Sequence, residues 1–161
     1  SLFAYIHDVG RPRVGNGQYH WAVFIAGGAN MADALGKHIL VELYECDRDI
    51  LNAHETIKDL MVGAAKAAKA TVVTVDFHMF NPYGVSGAVI IAESHLTIHT
   101  WPELGYAAVD MFTCGDTCNP HIGMDVLGAA LKAGTLNVTE VQRGNLRNLH
   151  PAAQQQLAAT G

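Results

Sequence analysis

The stretch TVVTVDFHMFNPYGVSGAVIIAESHLTIHTWPELGYAAVDMF, residues 71–112, decides the fold. It breaks into four apolar, β-branched runs: TVVTVDF at 71–77, SGAVIIA at 86–92, SHLTIHT at 94–100 and LGYAAVDMF at 104–112. The turns PYG at 82–84 and WPELG at 101–105 supply the Pro and Gly that punctuate strands. Connections this short return the chain only to an antiparallel neighbour, because a parallel crossover takes about a dozen residues or more. The stretch therefore predicts an antiparallel sheet.

Working outward, HILVELYEC at 38–46 sets Ile39, Val41 and Leu43 against Leu40, Glu42 and Tyr44, as a strand with two unlike faces does. Asn52 and Glu55 then form a capping pair for a helix whose Ile57, Leu60, Met61, Ala64 and Ala68 share one stripe, ending near Ala70. Downstream, Asn119 and Pro120 open a second helix that turns Ile122, Val126, Leu127, Ala130 and Leu131 to the core and stops at Gly134. TLNVTEV at 135–141 is the final strand. The order strand, helix, several strands, helix, strand predicts a two-layer α/β sandwich, a mainly antiparallel sheet with helices on one face. Several strands are apolar at both parities, so the uncovered face is expected to meet a partner subunit. Residues 1–30, interrupted by Gly10, Gly15, Gly17, Gly27 and Gly28, read as an N-terminal extension. Residues 31–143 read as the domain and 144–161 as an Ala- and Gln-rich tail.

Charge narrows the function. Ten Lys and Arg against fifteen Asp and Glu give a net charge of −5, a balance that disfavours a nucleic-acid partner. From Thr71 to Leu131 there is no Lys or Arg, while Asp76, Glu93, Glu103, Asp110, Asp116 and Asp125 all fall there. A pocket built from this stretch favours a cation over a phosphate; simple burial of a strand-rich middle would leave the same pattern. Cys46, Cys114 and Cys118 are three, so at least one is unpaired, against a secreted disulfide framework. No apolar run reaches the roughly eighteen residues of a membrane span, and no basic-then-apolar leader is evident. A cytoplasmic protein without a membrane partner is the expectation.

The chain lacks a GxxxxGK[ST] phosphate loop, GxGxxG and HExxH, and GVSG at 84–87 is no nucleophile elbow because a strand follows it. Cys114, Cys118 and His121 do not have a strong structural-zinc spacing, and on a regular strand His95 and His99 stand about 13 Å apart. No metal ligand is assigned. Reactive side chains instead crowd residues 90–115, where Glu93, Ser94, His95, His99, Glu103 and Cys114 lie among apolar residues. Polar groups buried there need partners, and either catalysis or plain sheet hydrogen bonding by Ser94, Thr97 and His99 supplies the reason.

HILVELYEC at 38–46, with FHMFNPYGVSGAVIIAESHLTIHTWPELGYAAVDMFTCG at 77–115, resembles the short prokaryotic S-adenosylmethionine decarboxylase proenzymes, over roughly residues 36 to 143. The resemblance implies a chain that cuts itself between Glu93 and Ser94. The Ser94 hydroxyl attacks the Glu93 carbonyl in an N-to-O acyl shift, and β-elimination and hydrolysis leave a pyruvoyl group at residue 94. That conjugated carbonyl accepts the electrons freed when carbon dioxide leaves an α-amino acid, a task no unmodified side chain does well. It stands in place of pyridoxal phosphate, in keeping with the missing cations between residues 71 and 131.

By the same resemblance, Cys114 reprotonates the substrate Cα, His99 assists elimination, and Ser86 assists processing and touches the amino-acid end of the substrate. Phe80 stacks on adenine and Glu103 holds the ribose hydroxyls. Leu96 either lines that pocket or is a core leucine, and His95 either steadies the processing ester or is structural. A homodimer with sites near the subunit boundary is implied, with S-adenosylmethionine as substrate and spermidine synthesis as destination. A pyruvoyl-dependent ornithine or arginine decarboxylase on the same scaffold is an alternative, as is a non-enzymatic zinc or ligand-binding module.

Overall fold

The computed structural model describes residues 22–26, 34–115 and 117–160. The strands are β1 Ala22–Ala26, β2 Ala34–Tyr44, β3 Val72–Met79, β4 Val85–Ile91, β5 Ser94–Trp101, β6 Tyr106–Cys114 and β7 Thr135–Asn145. The helices are α1 Arg48–Leu51, α2 His54–Ala67, α3 Pro120–Ala130 and α4 Pro151–Thr160. All seven strands lie in one sheet, in the order β1-β7-β2-β6-β5-β4-β3. Every pairing is antiparallel except that of β1 with β7. The expected two-layer α/β sandwich is thus present, and no helix among the described residues is long and apolar enough to cross a membrane.

Alternation along the strands separates the two faces. Ile39, Val41 and Leu43 of β2, Leu96 and Ile98 of β5, and Met111 of β6 are buried in the core with Ile57, Met61 and Ala64 of α2. The opposite parity carries His38, Leu40, Glu42 and Tyr44, then His95, Thr97 and His99, then Ala108, Asp110 and Phe112, and no helix among the described residues covers it. The period-two reading of residues 38–44 holds because β2 is central, flanked by β7 and β6, so each of its side chains must choose one face.

Three local readings need correction. The Asn52–Glu55 capping pair does not form: Asp47 caps α1 by accepting from Asp49 N and Ile50 N, Ala53 precedes α2 without a side-chain cap, and Asn52 accepts from Gly84 N. Asn52 thus ties the helix entry to the turn before β4. On α3, Ile122 and Val126 are exposed, whereas Gly123, Met124, Leu127 and Gly128 are buried. The glycine face wins because it permits close approach: a Cβ on Gly123 would stand 2.8 Å from Ala64 O of α2. Finally, β7 runs past the expected boundary at 143, since its end pairs with the start of β2, Gly36 opposite Arg143 and Ala34 opposite Asn145. Within the expected extension, residues 22–26 add β1 to the sheet edge, while 1–21 and 27–30 lie outside the described residues. The expected tail contains α4.

Candidate active site

The hairpin from β4 to β5 turns through Ala92 and Glu93, with Ile91 paired to Ser94. Ser94 therefore opens β5, and its backbone has φ 149°, a conformation L residues rarely adopt. Such a residue carries about 1–3 kcal/mol of local strain and needs its surroundings to hold it. Those surroundings grip Glu93 at both ends: its side chain accepts from Thr71 N at 3.0 Å, and its main-chain carbonyl accepts from Cys114 N at 3.0 Å. The Thr71 N–H keeps the Glu93 carboxyl below its ordinary pKa. More important for chemistry, the Cys114 N–H polarises the carbonyl carbon one bond before Ser94 N.

Around Ser94 lies a polar cluster. Its Oγ is 3.3 Å from His95 Nδ1, and His95 Nε2 is 3.4 Å from Asp110 Oδ2. Asp110 also accepts from the Thr97 hydroxyl and from His38 Nε2, the latter at 2.8 Å. Half-burial raises the Asp110 carboxyl pKa, but the Thr97 and His38 hydrogen bonds outweigh it and leave the group below its ordinary value. Behind His38, Arg143 Nη1 donates to Nδ1 at 2.9 Å and its guanidinium lies over the Phe112 ring. Thr113, opposite Ser94 in register, has a buried hydroxyl without a hydrogen-bond partner among the described residues.

A second cluster stands at the other end of β5. Ser86 and His99 face each other across β4 and β5, with Oγ and Nδ1 hydrogen-bonded at 2.7 Å. With Asp76, His78, Ala88 and Thr97 they line a shallow groove. Phe80 is exposed beside the groove, its ring edge-on to His78. Gly84 closes the turn that follows at φ 101°, where a Cβ would stand 2.8 Å from Thr100 O, so this turn packs against the end of β5. Glu103, exposed in the 3₁₀ turn Pro102–Leu104, continues from that same end.

The chain is similar on three counts to proteins already known. A family model for S-adenosylmethionine decarboxylase matches residues 37–144. The chain belongs to the S-adenosylmethionine decarboxylase family. The S-adenosylmethionine decarboxylase proenzyme of Caldanaerobacter subterraneus subsp. tengcongensis is 61% identical over 112 residues, covering 70% of this chain and 90% of the relative. That of Thermotoga maritima is 53% identical over 111 residues, covering 69% and 85%. Among solved structures, the adenosylmethionine decarboxylase from Aquifex aeolicus superposes with a TM-score of 0.67 at 37% identity, over 73% of this chain and 98% of that one.

Within this family member the expected site residues fall into two sets. Glu93, Ser94 and Cys114 share one end of β5, whereas Ser86, His99, Phe80 and Glu103 share the other. Ser94 and His99 are five residues apart on one strand, roughly 16 Å at ~3.3 Å per residue. Leu96 belongs to neither set: it is fully buried among the helices, because alternation turns it away from His95 and Thr97. Cys114, Cys118 and His121 do not converge on one point among the described residues, where the grouping of metal-ligand type is His38, His95 and Asp110. Sequence reasoning counted Asp110 only among the acidic residues and gave no site role to it, His38 or Arg143. The signal lay in the parity of β2 and β6, which places His38 directly opposite Phe112, two residues from Asp110.

Proposed function

We propose that the chain is a self-processing decarboxylase that converts S-adenosylmethionine to its decarboxylated form and carbon dioxide, supplying aminopropyl groups for spermidine synthesis. The observation that carries the reading is the strained backbone of Ser94 beside a Glu93 carbonyl already polarised by Cys114 N–H. Attack by Ser94 Oγ relieves that conformation and breaks the amide, and a donor held at the carbonyl stabilises the charge that develops on its oxygen. A base then takes the Ser94 α-proton and the Cβ–Oγ bond breaks, so that Oγ departs with Glu93 as its terminal carboxylate, and hydrolysis of the dehydroalanine left at residue 94 gives pyruvoyl and ammonia.

The surroundings of residue 94 suit the pyruvoyl group that results. The Thr113 hydroxyl, without a partner among the described residues, lies opposite residue 94 and is available to it as a donor. Once formed, the group supplies an electron sink for decarboxylation, with no need of pyridoxal phosphate. Cys114, a free thiol exposed next to Thr113, returns a proton to the substrate Cα in this reading. Phe80 offers an exposed aromatic face to adenine and to the cationic sulfonium, and Glu103 an exposed carboxylate to the ribose hydroxyls.

His99 and Ser86 stand too far from Ser94 of their own chain to act on it. A two-fold homodimer packed across the uncovered sheet face brings them to Ser94 of the partner. That face bears Leu40, Tyr44, Ile90 and Trp101, each 39–42% exposed, an apolar surface that association would bury.

Intact mass spectrometry tests the reading. The parent chain should convert to fragments 1–93 and 94–161, the latter beginning with pyruvoyl, and release carbon dioxide from S-adenosylmethionine. Ser94→Ala should stay whole and inactive. A free serine amine at residue 94, cleavage of Ser94→Ala, or selective release of carbon dioxide from ornithine or arginine would overturn it.

A further inference from the structure

We propose that His95 is the general base of the self-processing step, working on Ser94 of its own chain and positioned by Asp110. The inference rests on the reading of Glu93–Ser94 as the processed bond, and it assigns the acyl shift to a residue other than His99.

The protons decide the geometry. An arginine only donates, so Arg143 Nη1 at 2.9 Å requires His38 Nδ1 to be the acceptor, and the His38 proton therefore sits on Nε2, facing Asp110 Oδ2. Asp110 is thereby an acceptor toward three neighbours: His38 Nε2–H, the Thr97 hydroxyl and His95 Nε2. With its Nε2 turned to a carboxylate, His95 carries its proton there and presents the bare lone pair of Nδ1 to the Ser94 hydroxyl 3.3 Å away. Nucleophile, base and orienting carboxylate are thus in line, and apo distances of this length commonly tighten during reaction. The same proton placement argues against a metal ion among His38, His95 and Asp110, although their ligand atoms lie within 4.8 Å of one another: the Arg143 contact commits the His38 proton to the nitrogen that a shared ion would use.

The step balances without an added reactant. Ser94 Oγ bonds to the Glu93 carbonyl carbon while its proton passes to His95 Nδ1. The bond from that carbon to Ser94 N then breaks, and the same proton passes from His95 to the departing nitrogen, which leaves as an amine. His95 ends as it began.

The test follows conversion of freshly synthesised full-length chain into its two fragments by intact mass. His95→Ala should slow conversion by about 10²–10⁴-fold, the usual scale of a general base. The uncut chain should resist hydroxylamine, which cleaves esters, and added imidazole should speed conversion. Asp110→Asn should slow the parent chain by about tenfold or more yet change His95→Ala by less than about twofold, as expected if it acts through His95 and not on the fold. Co-expression supplies a further arm: His95→Ala and Ser94→Ala should fail to repair one another, since both lesions lie in the same half-site. If His95→Ala does not fold, His95→Gln is judged by the same criteria. Conversion within about threefold of the parent, or accumulation of a hydroxylamine-sensitive ester, would overturn the assignment to His95 alone. A parent chain that never cuts would overturn the processing reading and this inference together.

Discussion

Two chains that are each dead alone should repair one another if Ser94 of one protomer is completed by His99 of its partner. The perturbation is a pair of variants, Ser94→Ala and His99→Ala, co-expressed at equal levels. In the structure Ser94 opens β5 and His99 lies five residues on, roughly 16 Å away at ~3.3 Å per residue, where it is bonded to Ser86. Random two-fold pairing puts about half the dimers in the mixed state, and each mixed dimer holds one intact site of two, so about one quarter of the wild-type number of sites should process. A chain carrying both substitutions, co-expressed with the parent, gives a second reading. There only parent homodimers keep intact sites, again about one quarter, whereas a site built within one chain would leave about one half. Quantitative mass spectrometry of the pyruvoyl-bearing 94–161 fragment, per total chain, measures both. No fragment from the first mixture and about half from the second would refute the shared site.

Other outcomes follow from single residues. Cys114→Ala should still process, because the hydrogen bond to the Glu93 carbonyl comes from the main-chain N–H, but steady-state release of carbon dioxide should fall by about 10²–10⁴-fold. Thr100 Oγ1 is buried, accepts from Val85 N at 2.8 Å and donates to Leu51 O at 2.9 Å. Thr100→Val strands both groups and should cost about 2–6 kcal/mol in urea unfolding at the scale of ~1–3 kcal/mol per buried unsatisfied group. The Asp110 pKa is lower folded than unfolded, so its stabilisation is complete above the unfolded value of about 4 and is lost as pH falls through the folded one. Stability of Asp110→Asn should therefore fall less between neutral and acid pH than that of the parent, as thermal melts across that range would register.

How much was legible depends on whether the cause was local. Alternation in HILVELYEC placed Ile39, Val41 and Leu43 inside because a strand has only two faces, and the short Pro- and Gly-bearing turns made antiparallel pairing the default. The helix cap at Asn52 was misread because Asp47 takes the capping role one turn earlier while Asn52 reaches across to Gly84 N. The phase of α3 was misread because hydropathy ranks Ile122 and Val126 above Gly123 and Gly128. Close packing against α2 rewards the small residues instead.

The sequence by itself determined the antiparallel sheet, the one-sided helical cover, and a run of reactive residues whose order marks the family. Those properties depend on nearest neighbours, on period-two alternation and on turn length, all written along the chain. Only the tertiary structure decided that these residues divide between the two ends of β5, that Cys114 N–H reaches the Glu93 carbonyl, and that Arg143, His38, Asp110 and His95 form one relay toward Ser94. Those four are separated by up to 105 positions. They meet because β7, β2, β6 and β5 lie side by side in that order, an arrangement set by long-range pairing. The direction in which each histidine proton points depends in turn on which group pairing places opposite it.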